Sequence, residues 1–289
     1  MSLGARVRGP AAAIFYIFLW AAAFVPSKVA VLDASPVLFL VVRFLFGGSV
    51  LGLAAWLLRL PFPASRRAWT EIAALGILSN SIYLGLSYES LRSLSAGMGA
   101  ILASTNPLIL ALVAPRLLGE PLSLRKGCGL LLGFGGVVFV MFSRTGTGDA
   151  NPAAVSLALI AVCANVAATI VFKRLRTEAH LLSISAIQLT IAGLTLTPFI
   201  WADPRPHIDW TPRLIASFVY IFFSMSLTAT LLWYWLLRRG QASRVSAYFF
   251  LTPIFGLALG ALILHEPTTR RDLLGLAATA AGIALVQRG

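Results

Sequence analysis

Trp20, Phe24 and Lys28 recur at every fourth position of an apolar stretch, and Pro26 removes a backbone amide from the same turns. That spacing puts two rings and an ammonium on one face of a helix. Asn80, Tyr83 and Ser87 share a second face at i, i+3 and i+7, with Ser81 and Tyr88 beside it. Ser104, Thr105 and Asn106 precede Pro107, where carbonyls lose their usual partners. Asn165, Thr169 and Gln188 follow, then Ser226, Thr230 and Trp233, then Tyr248 and Thr252 before Pro253. Any one of these hydroxyls can simply bond to its own helix backbone. Together they describe binding chemistry, with rings to stack on a cargo and amides and hydroxyls to take its polar head.

Bond-making chemistry finds no support. The sequence has no HExxH, GxSxG or Walker loop, and His180, His207 and His265 sit in loops or at the ends of apolar stretches. No two carboxylates fall at the middle of a stretch, and Cys128 and Cys163 have no metal-like spacing. Neither enzyme activity nor a metal or cofactor is expected. The candidate substrate contacts are Trp20, Phe24, Asn80, Tyr83, Ser104, Asn165, Trp233 and Tyr248. Lys28 and Arg43 are candidates for gating or charge pairing, and Pro26, Pro107 and Pro253 for kinks or hinges. With few fixed charges on these faces, a small amphipathic or zwitterionic molecule suits them best.

The elements that carry these residues must be membrane helices. Of the 289 residues 58% are hydrophobic and only 11% charged, with a mean hydropathy of +0.87. A soluble domain carries about a quarter charged residues. Ten apolar stretches of spanning length lie at about 10–32, 36–58, 69–91, 94–115, 125–143, 152–173, 180–201, 212–237, 242–264 and 270–287. Runs such as Leu38-Phe39-Leu40-Val41-Val42 do not alternate, which excludes barrel strands. The first stretch imitates a secretory signal with Arg6, Arg8 and Ala21-Ala22-Ala23, but it continues apolar to Leu32 and reads as a helix.

The net charge of +13 does not mark a nucleic-acid binder, because the basic residues alternate with the spans. With an inner N-terminus, fifteen of the 23 Lys and Arg fall inside and six outside, leaving Lys28 and Arg43 within spans. The positive-inside rule then predicts both termini cytoplasmic.

Residues 69–143 and 212–286 carry one pattern twice. An offset of 146 pairs Pro107 with Pro253, Glu120-Pro121 with Glu266-Pro267, Tyr88 with Tyr234, Leu91 with Leu237 and Gly129 with Gly275. One residue less pairs Lys28 with Lys173 and Trp56 with Trp201. The fold class expected is an all-α membrane protein: ten transmembrane helices in two five-helix repeats, 1–146 and 147–289, around a central cavity. Because five is odd, the second repeat is inverted, a device that gives secondary transporters two exchangeable halves. Glu120 and Glu266 read as structural turn residues that accept from the first amides of the helices that follow them. Ser123 and Thr269 are expected to cap those helices. Glycine pairs at 48/52, 129/133 and 256/260, with Ala278-Gly282, mark close helix approaches. The helices after each Glu-Pro turn, poor in polar residues, are expected to be scaffold or a dimer contact.

On Trp20 with Lys28, Arg43, and the turns Leu118-Gly119-Glu120-Pro121 and Leu264-His265-Glu266-Pro267, each followed by Gly129 or Gly275, the whole chain resembles the drug/metabolite transporter superfamily. Within it the chain is similar to the ten-helix EamA-type branch and to bacterial inner-membrane exporters of aromatic and other neutral amino acids. The resemblance implies a basket of helices 1–4 and 6–9, with helices 5 and 10 beside it. It implies export of amino acids or related metabolites by alternating access. Small multidrug pumps of the superfamily use a glutamate in helix 1, and here that helix has no acid before Asp33. Three readings remain open: an amino-acid exporter, a multidrug or cationic-toxin exporter, and a membrane subunit that moves nothing. The partners expected are the lipid bilayer and a small-molecule substrate, with the chain a monomer or weak homodimer.

Overall fold

The structure is a computed structural model that describes residues 3–94, 99, 102–142, 151–252, 254–255 and 270–289. Helices account for the fold: α1 Leu3–Ala22, α2 Phe24–Asp33, α3 Pro36–Leu57, α4 Arg66–Gly76, α5 Tyr83–Ser93, α6 Asn106–Leu118, α7 Leu124–Phe142 and α8 Pro152–Arg174. They continue with α9 Leu181–Leu196, α10 Pro212–Tyr220, α11 Thr230–Arg239, α12 Ala242–Ser246 and α13 Arg270–Arg288. Among the described residues five helical spans are long and apolar enough to cross a membrane. They are Pro10–Asp33, Pro36–Leu57, Pro152–Arg174, Leu181–Ala202 and Pro212–Arg239, and Asn106–Leu118 and Leu274–Arg288 are shorter apolar helices.

The surface is that of a protein in lipid. Leu112, Leu124 and Leu131 are 72%, 85% and 71% exposed, while Arg43, Asp33 and Gln188 are buried. Polar groups turn inward because hydrocarbon offers them no partner. Trp56 and Trp201 both project outward near the ends of their spans, where an indole suits the headgroup boundary.

Backbone exceptions sit where the sequence demands them. Pro26 lacks the amide that would bond the Ala22 carbonyl, and its ring crowds that carbonyl. The helix accordingly breaks at Ala23, whose amide falls back on Trp20 at 3.1 Å, and resumes with the Ser27 amide on Ala23. Pro107 does not kink a continuous helix as expected; a turn at Ser104–Thr105 ends one helix, and Pro107 lies in the first turn of α6. There its missing amide is one of the orphans in any case. The α4–α5 and α10–α11 pairs are each continuous through a wider π-helical stretch, Ile77–Ile82 and Ile221–Ala229. Pro253 and Glu266 lie outside the described residues, as do Thr269, Gly256 and Gly260.

Two helix pairs make the closest approaches. A Cβ on Gly129 would lie 2.8 Å from the Gly282 carbonyl oxygen, and one on Gly136 the same distance from that of Gly275. Glycine is therefore what lets α7 and α13 meet backbone to backbone. The second pair is α3 with α9, where a Cβ on Gly193 would lie 2.6 Å from the Leu45 side chain and one on Gly48 would enter Thr190.

The connections gather at two ends. At one, the Asp33 carboxylate accepts from Thr211 Oγ1 at 2.6 Å and pairs with the Arg213 guanidinium, while Ser35 Oγ donates to Asp203 at 2.7 Å. At the other, Glu120 accepts from the Ala242 amide at 2.7 Å, the Ser243 amide at 3.0 Å and Ser243 Oγ at 2.6 Å. This corrects the expected bonding of Glu120: its chain turns at Gly119, with φ of 67°, and the carboxylate reaches α12 rather than α7. The amides of α7 are served by Ser123, whose Oγ accepts from Lys126 N at 3.2 Å, as read from the sequence. The α1–α2 pair ends at the Asp33 end, and α8 ends at the Glu120 end, where Arg174 donates to the Leu117 carbonyl.

Candidate functional site

Between the two ends lies a cavity with about 1180 Å³ of empty space, including the part continuous with solvent. Its walls come from α1, α2 and α3, from α4 to α5, from Gly99, Leu102 and Ala103, from α8 and α9, and from the helix of α10 and α11.

One wall is aromatic. Trp20 and Tyr83 stack with centroids 5.9 Å apart and planes 7° from parallel, and Tyr16 stacks on Trp233 at 5.1 Å. Phe249 meets Trp20 and Trp233 edge-on, each at 5.4 Å, and joins the two stacks into one cluster. Below it Leu110, Phe172, Leu236, Leu237 and Val245 extend the same apolar packing to the Glu120 end. The Trp20 Nε1 is buried and without a hydrogen-bond partner among the described residues.

Two polar arms line the cavity. From α3, Arg43 Nε donates to Ser226 Oγ at 3.3 Å, with the Tyr88 hydroxyl also beside the guanidinium. Tyr88 in turn bonds Ser27 Oγ at 2.9 Å. From α9, Gln188 Oε1 accepts from the Tyr234 hydroxyl at 2.5 Å, with Ser79 beside it. The residues correspond by the repeat offset: Arg43 to Gln188, Tyr88 to Tyr234. Arg43 reaches a hydroxyl of the second half, whereas Gln188 bonds Tyr234 of its own half, and that hydroxyl has Ser79 of the first half beside it.

Of the expected contacts, Trp20, Phe24, Asn80, Tyr83, Asn165 and Trp233 line the cavity, as does Arg43. Ser104 and Tyr248 do not. Ser104 is fully buried in the turn before α6. Tyr248 lies in a tightly wound 3-10 stretch, Ala247–Leu251, which carries the fully buried Phe249 to the ring cluster and leaves Tyr248 half-buried between that cluster and the one of Ala111 and Leu130. Lys28 is also outside the lining, and its ammonium is held by the Leu91 and Leu94 carbonyls at 2.5 and 3.0 Å. That is a helix C-terminus capped by a cation. Lys173 repeats the arrangement on the Leu237 and Gly240 carbonyls, at 2.9 and 2.8 Å.

Sequence reasoning missed Tyr16 and Phe249. Tyr16 was within reach, since it stands four residues before Trp20 and extends the stripe through Phe24 by one turn. Phe249 carried no such signal. Its place follows from the 3-10 winding, which the sequence does not announce.

No group of three or more metal-ligating side chains occurs among the described residues. What the cavity offers is a solvent-reaching chamber inside a lipid-facing bundle, and the molecule is a multi-pass membrane transporter. It belongs to the EamA-like transporter family, whose profile matches residues 7–142 and again residues 152–288. The chain is 29% identical to the uncharacterized transporter YvbV of Bacillus subtilis, over 94% of this chain and 89% of that one. It is 25% identical to an uncharacterized transporter of Archaeoglobus fulgidus, over 94% and 96%. A solved crystal structure shares the fold with a TM-score of 0.79 at 17% identity, covering 98% of this chain and 97% of that one.

Proposed function

We propose that this protein is a secondary exporter of amino acids, favouring aromatic and other neutral ones, in a bacterial inner membrane. The observation that carries the reading is the cavity itself. Stacked rings form one wall, amides and hydroxyls from both halves form the others, and no aspartate or glutamate is among the described lining residues. Rings receive an apolar side chain, and the polar arms receive a compact charged or dipolar head. The absence of an acid from the lining disfavours lipophilic cations as principal cargo.

Alternating access supplies the movement in this reading. The double family match, the paired lysine caps, and the ends of α2 and α8 at opposite faces support ten helices in two inverted repeats. Each half can then take the conformation of the other around a shared site. The arginine-rich Glu120 end is the cytoplasmic one by the charge rule, with both termini there. Among the described residues no acid faces the cavity to exchange protons, and in this reading the cargo's own gradient drives flux.

Purified protein in liposomes is the test. Labelled phenylalanine, tryptophan, leucine and threonine should undergo counterflow without ATP. No flux of any amino acid under either gradient polarity would overturn the proposal.

A further inference from the structure

The two polar arms of the cavity differ in one respect that bears on its cargo. Gln188 is neutral, whereas its counterpart Arg43 carries a full charge and is only 5% exposed. A guanidinium does not deprotonate at any accessible pH, so that charge is permanent. Its neighbours are the Ser226 and Tyr88 hydroxyls and the face of Phe44, 5.3 Å from the ring centroid. Among the described residues no carboxylate pairs with it, and none lines the cavity. The two most buried acids are engaged elsewhere, Asp33 with Arg213 and Glu120 with α12. Lys28 is spent on helix carbonyls outside the cavity.

Arg43 is therefore the single formal charge on the described cavity wall. A buried charge without a counterion is costly, and more so at membrane depth. Trp20 Nε1 is a buried donor with no partner among the described residues, and an indole N–H has no acceptor capacity. The guanidinium asks for an anion, and the indole for any acceptor. An ammonium group would meet a like charge and no acid.

We infer that the cavity selects its cargo by a carboxylate held on the Arg43 arm, and that an amino group is dispensable. The substrate class is then the apolar and aromatic monocarboxylates, with amino acids as members of it. This inference deepens the transport reading above and rests on it.

Three ligands with one phenyl group separate the head groups: 3-phenylpropanoate, phenylalanine and 2-phenylethylamine. Binding is read by thermal shift of the purified full-length protein, and transport by counterflow in liposomes corrected with protein-free vesicles. The carboxylate and the amino acid should bind and exchange, and the amine should bind about tenfold more weakly or worse. Arg43→Gln, which copies the other arm, should weaken 3-phenylpropanoate about tenfold or more, and Arg43→Lys should retain part of the affinity. If Arg43→Gln does not fold, 3-phenylpropanamide on the wild-type protein makes the same comparison and should bind as weakly as the amine. An amine or amide that matches the carboxylate, or an Arg43→Gln protein with unchanged affinity for it, overturns the inference while amino-acid flux leaves the exporter reading standing. Silence for all three ligands together with no amino-acid flux overturns both.

Discussion

The two halves of the chain agree in their frame and disagree in their lining. Lys28 caps Leu91 and Leu94 in the first half, and Lys173 caps Leu237 and Gly240 in the second, the same contact to within 0.4 Å at each carbonyl. Gly129 and Gly275, like Gly48 and Gly193, serve the same close approaches in both. At the cavity Tyr88 and Tyr234 still correspond, but other positions do not. Trp20 stands against Asn165, Arg43 against Gln188 and Tyr83 against Ala229, each pair differing in chemistry as well as size. Packing constrains both halves alike, because each must stand in the same bilayer. A cargo has no twofold symmetry, so the residues that would meet it need not repeat.

The comparison can be broken first at the frame. Gly282→Val places a Cβ within 2.6 Å of the Gly129 carbonyl oxygen, where only backbone could give way. The expected loss is about 3 kcal/mol or more, enough to abolish monodisperse protein on size exclusion. Next comes the lining. Trp20→Ala, Tyr83→Ala and Trp233→Ala should each reduce counterflow about tenfold or more with expression intact, whereas Tyr248→Ala should leave it within about twofold. Wild-type flux in all three would show the rings to be packing alone.

A finer test sets the two lysines against each other. Lys28→Met and Lys173→Met should lower thermal stability by similar amounts, about 1–3 kcal/mol each, since each frees two carbonyls of a helix end. A large loss in one and none in the other would end the equivalence of the two caps. The smallest effect belongs to the Asp33 end. The Ser35 hydroxyl and the Arg205 amide hold the Asp203 carboxyl below the ordinary carboxylate range. A depressed folded value means stability that is present above the unfolded value near 4 and lost as pH falls through the folded one. Asp203→Asn should therefore flatten the acid limb of a melting-temperature profile below about pH 4 and change little at neutral pH.

Much of this was legible in the sequence, and the residues show why. Apolar length and the i, i+3 and i+4 stripes put Trp20, Phe24, Asn80, Tyr83, Asn165 and Trp233 on the cavity, even across the break at Ala23 and the π-helical stretch that holds Asn80. At Ala247–Leu251 the 3-10 winding brings Phe249 into the ring cluster, and Tyr248 lies outside the cavity lining. Ser104 lies outside the lining, in the turn where Pro107 restarts a helix instead of bending one. Glu120 was assigned the right kind of partner on the wrong helix, since a turn at positive φ redirects its side chain across the bundle. Charge identity was readable at Arg43; its lack of a counterion required the fold.

The two π-helical stretches, Ile77–Ile82 and Ile221–Ala229, lie at matching places in the halves and lead directly into Tyr83 and Thr230. Each holds surplus length within a helix that is otherwise tightly wound. Were such a stretch to relax to ordinary α-helical winding, one residue would pass along the chain. Everything beyond it would turn about 100° around the axis and shift about 1.5 Å along it. Tyr83 and Trp233 both lie downstream of their stretch, so this slack is the coordinate along which a ring could leave the wall with its helix unbroken.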